Sequence, residues 1–128
     1  FEAKENIFVK ADELKISQVM YNLVNNAIHY TGENKQVNII QSREGNRVKI
    51  EVLDTGSGVN EEDMPYIWDR YYKVDKEHQR GKVGTGLGLS IVKEILQLHQ
   101  ADFGVENRAE GGSNFWFSLV ISNKDEEN

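Results

Sequence analysis

Between residues 14 and 28 apolar side chains recur at mostly three- and four-residue steps: Leu14, Ile16, Val19, Met20, Leu23, Val24, Ala27 and Ile28. That spacing predicts an amphipathic helix of about eighteen residues, with Asp12 as N-cap and Thr31-Gly32 as the stop. A helix with one apolar stripe must bury it against another layer. The strands for that layer are present. Val37–Ile40 and Val48–Leu53 alternate or run apolar on either side of Glu44-Gly45-Asn46, which predicts an antiparallel hairpin. Leu87–Leu98 describes a second long helix, and Phe103–Glu106 and Asn114–Ile121 two closing strands around Gly111-Gly112. Ile7-Phe8-Val9 reads as a strand end, and a short helix is expected from Glu61. The order β-α-β-β-α-α-β-β suits an α+β, two-layer sandwich with its helices on one face.

Length and charge narrow the class. A chain of 128 residues is roughly one domain and buries about two-thirds of the surface that its unfolded form exposes. It contains no cysteine, so neither a disulfide framework nor a cysteine zinc site is available. Fifteen Lys+Arg against twenty-one Asp+Glu give a net charge of −6, which argues against a general nucleic-acid surface. No apolar run is long enough to span a bilayer. The first residue is Phe1 and no signal-peptide pattern follows, so the expectation is a fragment of a longer protein. The domain is expected over residues 1–122, with 123–128 as a polar tail.

Six of the eleven glycines fall between Gly56 and Gly88, and three features around them carry chemistry. Asn22, Asn25 and Asn26 crowd the second half of the first helix, where asparagine is a mediocre former. Asn22 and Asn26, four apart, share a face. They are either a solvated polar face or a pair of amide oxygens for a hard cation such as Mg²⁺ held together with phosphates. Asp54-Thr55-Gly56-Ser57-Gly58 follows an apolar strand. Its carboxylate can accept from an exocyclic amine, although a plain turn has the same composition. Gly84-Thr85-Gly86-Leu87-Gly88-Leu89 leads into the second helix, whose free N–H groups favour phosphate; an ordinary flexible loop reads the same way. Neither a Walker loop nor a complete dinucleotide fingerprint is present. Asp75–Gly84 is polar, without periodicity, and is expected to be a mobile loop.

Taken in order, these segments resemble the boxes of sensor histidine kinases. Asn22–Thr31 is similar to the N box, Asp54–Gly58 to the G1 box, Tyr66–Lys73 to the F box and Gly84–Lys93 to the G2 box. Gly111–Phe115 is similar to the last glycine box, and the resemblance runs from about Asp12 to Leu119. It implies the catalytic and ATP-binding domain of such a kinase, with the Bergerat fold: a mixed, mostly antiparallel sheet covered by helices on one face. It implies that Asn26 coordinates Mg²⁺ with Asn22 assisting at the phosphates, that Asp54 accepts the adenine amino group, and that Gly56 and Gly58 line the base pocket. Ser113 would reach the same pocket, directly or through water. His29, Tyr30 and Lys73 would approach the phosphates, and Gly84, Thr85, Gly86, Leu87, Gly88 and Leu89 would wrap them.

Phosphoryl transfer asks a protein chiefly for positioning and charge stabilisation. The resemblance implies ATP and Mg²⁺ as cofactors, with a histidine on a separate dimerisation domain of the same protein as acceptor and a response regulator as recipient. It also implies a cytoplasmic domain, monomeric as a fragment, without direct membrane contact, in a homodimeric parent anchored in the membrane. The alternatives are a stand-alone serine kinase or ATPase of the same fold and a catalytically silent nucleotide-binding module.

Departures from the family pattern are informative. His29 stands where the family commonly has Lys, Trp68 and Tyr71 replace the usual Phe positions, and Glu110 replaces a frequent Gly. Related ATPases of the gyrase and MutL types, and the serine-kinase anti-sigma factors, carry Glu where this chain has Asn22. An amide cannot act as a base, so poor ATP hydrolysis is expected. His29, His78 and His99 are followed by Tyr30, Gln79 and Gln100, not by the acidic residue that follows a phosphorylated histidine. His78 and His99 are expected at the surface.

Overall fold

A computed structural model describes Phe8 and Val9 and residues 12–30, 36–69 and 88–122. The elements are β1 (Phe8–Val9), α1 (Glu13–Tyr30), β2 (Val37–Glu44), β3 (Arg47–Asp54), α2 (Gly88–Leu98), β4 (Asp102–Asn107) and β5 (Ser113–Ser122). The expected mobile loop and the C-terminal tail lie outside the described residues.

Every strand pairing described is antiparallel. β5 is the axis of the sheet, with β3 along one side and both β4 and β1 along the other. β2 closes the far edge against β3 through a two-residue turn in which Gly45 takes a φ of 62°. That left-handed conformation is open to glycine at little cost and fits the twist of a tight hairpin.

The two-residue period of the strands decides what faces the helices. Phe115, Phe117 and Leu119 of β5 and Val48 and Val52 of β3 are buried on one face, together with Val19, Leu23 and Ala27 of α1 and Val92, Ile95 and Leu96 of α2. The opposite face carries Arg47, Lys49, Trp116 and Ser118; the Lys49 ammonium lies 5.0 Å from the centre of the Trp116 ring. Both helices therefore pack on one face, as expected.

Asp12 is the N-cap of α1: its Oδ1 accepts from the Lys15 N–H at 3.1 Å and its carbonyl from the Ile16 N–H at 2.9 Å. α2 ends in a Schellman-type turn, with Ala101 N–H bonded to the Leu96 carbonyl and Gln100 at a φ of 55°. Two expectations need correction. His99 is half-buried: its Nε2 accepts from the Asp12 N–H at 2.9 Å, and its Nδ1 lies 2.8 Å from the Ile95 carbonyl, so the ring ties the end of α2 to the start of α1. The short helix from Glu61 is a run of successive turns over residues 60–69. Pro65 supplies no N–H there, and a regular helix does not propagate through it. The run still reaches the core. Ile67 is buried, and Trp68 packs edge-on against Phe103 and Phe115, with ring centres 5.1 and 5.7 Å apart.

Phe117 is the largest fully buried side chain and contributes to the core from the centre of β5. Phe117→Ala is expected to lower unfolding free energy by about 3–5 kcal/mol in urea denaturation, with an unchanged dependence on urea concentration.

Candidate functional site

Asp54 is the last residue of β3, and the register of that strand turns its side chain to the same face as Val48 and Val52. Ser113, the first residue of β5, lies beside it at the same end of the sheet and on the same face as Phe115. Strand periodicity thus brings a carboxylate and a hydroxyl to one end of an otherwise apolar layer, and both are buried, Asp54 to 1% exposure. A buried carboxylate is costly unless hydrogen-bonded. Asp54 Oδ1 accepts from the Gly56 N–H at 2.8 Å and the Ser113 N–H at 3.2 Å, and Oδ2 accepts from the Ser113 hydroxyl at 2.6 Å. Each carboxylate oxygen has about two lone-pair directions, so these bonds leave one direction of Oδ2 for a further donor.

Backbone packs tightly around this pair. Gly112, at a φ of 93°, comes so close to the Asp54 carbonyl that a Cβ there would sit 2.0 Å from its oxygen. Gly58, at a φ of 82°, would place a Cβ 2.6 Å from Asn107 Oδ1. Contacts that close against backbone exclude any side chain at position 112.

The asparagines lie on the helical layer. α1 packs against β3 and α2. Asn22 donates to the carbonyl of Gly88, the first residue of α2, across a long 3.5 Å. Asn26 is half-buried, and its amide nitrogen is fully buried without a hydrogen-bond partner among the described residues. Such an orphan is costly, and a phosphate oxygen would satisfy it, while the amide oxygen is a hard ligand of the kind Mg²⁺ takes. The residues fit the ion. His29 is exposed in the last turn of α1, and Tyr30 is its last residue. Leu89 is half-buried against the core. The predicted Lys73, Gly84, Thr85, Gly86 and Leu87 lie outside the described residues.

Among the described residues, hydrogen bonds therefore join the predicted ones in two groups, Asp54–Gly56–Ser113 at the sheet end and Asn22–Gly88 between the helices. Two further residues hold the first group and were missed in the sequence. Asn107 donates from Nδ2 to the Val59 carbonyl and accepts on Oδ1 from the Val59 N–H, both at 2.8 Å. Arg108 donates from Nη1 to the Asp54 carbonyl at 2.7 Å and from Nη2 to Glu110 at 3.2 Å. Their only sequence signal is position, at a strand end just before a glycine pair.

The model of the family described as histidine kinase-, DNA gyrase B-, and HSP90-like ATPase matches residues 11–123. The sensor histidine kinase WalK of Bacillus subtilis is 35% identical over 124 residues, covering 95% of this chain and 20% of that protein. The signal transduction histidine-protein kinase ArlS of Staphylococcus aureus is 33% identical over 111 residues, covering 87% of this chain and 25% of that protein. The chain thus spans about a fifth to a quarter of these relatives. Among solved structures, the nucleotide-free catalytic domain of histidine kinase ThkA superposes with a TM-score of 0.74 at 34% identity, over 88% of this chain and 70% of that one. Full-length ShkA in complex with AMPPNP gives 0.75 at 27% identity, over 92% of this chain and 24% of that one. A family-model match over residues 11–123, nearly the whole chain, places this chain in the histidine kinase-, DNA gyrase B-, and HSP90-like ATPase family.

Proposed function

We propose that this chain is the catalytic ATP-binding domain of a sensor histidine kinase. On this reading it positions the γ-phosphoryl group of ATP for transfer to a histidine on a separate dimerisation domain, for relay to a response regulator. The observation that carries the reading is Asp54. Its buried carboxylate is held by neutral donors and keeps one acceptor direction open, which suits the exocyclic amine of adenine. The contact geometry at Gly58 and Gly112 holds the surrounding backbone close enough to shape a base pocket. The names of the relatives, sensor histidine kinases among them, support the same class.

The phosphate end falls to α1. Asn26 would hold Mg²⁺ through its amide oxygen and offer its buried N–H₂ to a phosphate oxygen. Asn22, linked to Gly88, would keep the start of α2 in place beside it. The ion would supply neutralisation of the developing charge on the transferred group. His29, Tyr30, Lys73 and the glycine-rich segment 84–88 complete the proposed phosphate side. With an amide at position 22 the chain has no base there to activate water, so it would retain the phosphoryl group for its acceptor.

Mixing the chain with ATP–Mg²⁺ and a dimerisation-helix fragment is expected to give acid-labile phosphate on that fragment, and Asp54→Asn to abolish it. ATP binding without any labelled acceptor would favour a silent nucleotide-binding module. Asn22→Glu is expected to raise phosphate release at least tenfold, measured with inorganic phosphate as the readout. A release rate already high before that substitution would favour the stand-alone ATPase.

A further inference from the structure

Asn107 and Arg108 are adjacent, and each reaches back to backbone of the segment that carries the open acceptor. Asn107 satisfies both the N–H and the carbonyl of Val59 with one planar amide, so it extends the edge of β4 by one rung onto a loop that belongs to no strand. Arg108 lies at the opposite end of that loop. Its side chain, 17% exposed, gives one guanidinium nitrogen to the Asp54 carbonyl and another to Glu110. Its own N–H bonds the Gly112 carbonyl at 2.9 Å, and the Gly111 N–H returns to the Arg108 carbonyl at 3.1 Å, closing the turn on itself.

We propose that Asn107 and Arg108 are positioning residues for the base pocket: a two-point clamp that fixes the loop from Asp54 to Val59 from behind. The proposal rests on the nucleotide reading above and goes beyond it. Three features carry it. The clamp grips the backbone at both ends of the loop, at Asp54 and at Val59, so Gly56 and Gly58 have fixed end points. Backbone contact at Gly112 and side-chain contact at Gly58 leave no slack between clamp and loop. The described bonds of Arg108 run to the carbonyl of Asp54 and to Glu110, not to the Asp54 carboxylate. A guanidinium on the carboxylate would occupy the acceptor direction that the base needs. Arg108 therefore supports the acceptor without saturating it.

The test compares AMP, ADP and ATP–Mg²⁺ by calorimetric titration of the wild-type chain, Asn107→Ala, Arg108→Gln and Arg108→Lys. A net hydrogen bond of about 1 kcal/mol corresponds to roughly five-fold in affinity. Asn107→Ala and Arg108→Gln are expected to weaken all three nucleotides by the same factor, about five- to tenfold. Arg108→Lys, which keeps one donor for the Asp54 carbonyl, should recover part of the loss. A loss that grows with the number of phosphates would overturn the proposal in favour of a phosphate contact. Unchanged affinities beside a lowered melting temperature would overturn it in favour of a purely structural role. Amide exchange without nucleotide gives a second reading, since the clamp predicts faster exchange at Gly56 and Val59 in Asn107→Ala and unchanged exchange overturns it. A wild-type chain that binds none of the three nucleotides would refute the nucleotide reading and the clamp with it, whereas binding by the wild type with variants that match it refutes the clamp alone.

Discussion

The hydrogen bonds between Asp54 and Ser113 are the constraint on which the candidate site depends. A carboxylate at 1% exposure would be a serious liability at the end of an apolar layer. Three donors offset that cost, two from the strand end of β5, the Ser113 N–H and hydroxyl, and one from the loop after β3, the Gly56 N–H. Satisfying one buried group therefore fixes the positions of two chain segments relative to the sheet. Gly112 against the Asp54 carbonyl is the steric counterpart of the same constraint, since no other residue permits the approach.

The helical layer is pinned in a complementary way. α1 and α2 run antiparallel and are joined near both ends of α2, by Asn22 to the Gly88 carbonyl at its start and by His99 to the Asp12 N–H at its finish. Between these points Val19, Leu23, Val92, Ile95 and Leu96 share one core with β3 and β5. Sheet end and helix pair are thus built on one packed core, which is what a ligand needs if its two ends are to be held at once. Placement of that kind is the main protein contribution to phosphoryl transfer.

Much of this was legible in the sequence because it follows from periodicity. The stripe from Leu14 to Ile28 located α1 and the alternation in Val48–Leu53 located β3, while the turn of Asp54 to the core face came from the register of that strand in the structure. The helix expected at Glu61 failed for a local reason: Pro65 removes a donor from its middle, although Ile67 and Trp68 still find the core. His99 and the Asn107–Arg108 pair were opaque for a different reason. Their partners are Asp12, Val59 and Asp54, between 48 and 87 positions away, and no local pattern encodes a side chain bonding distant backbone. Long-range polar contacts of this sort depend on the finished fold.

On the proposed reading, the open acceptor direction of buried Asp54 receives the amine of an adenine. Adenine offers an N–H₂ at that position, whereas guanine presents a carbonyl oxygen, which would face the carboxylate unpaired. Titrating the chain with ATP–Mg²⁺ and GTP–Mg²⁺ side by side tests this most directly. The account predicts that ATP binds about a hundredfold more tightly or better, and comparable affinities for the two nucleotides would contradict it.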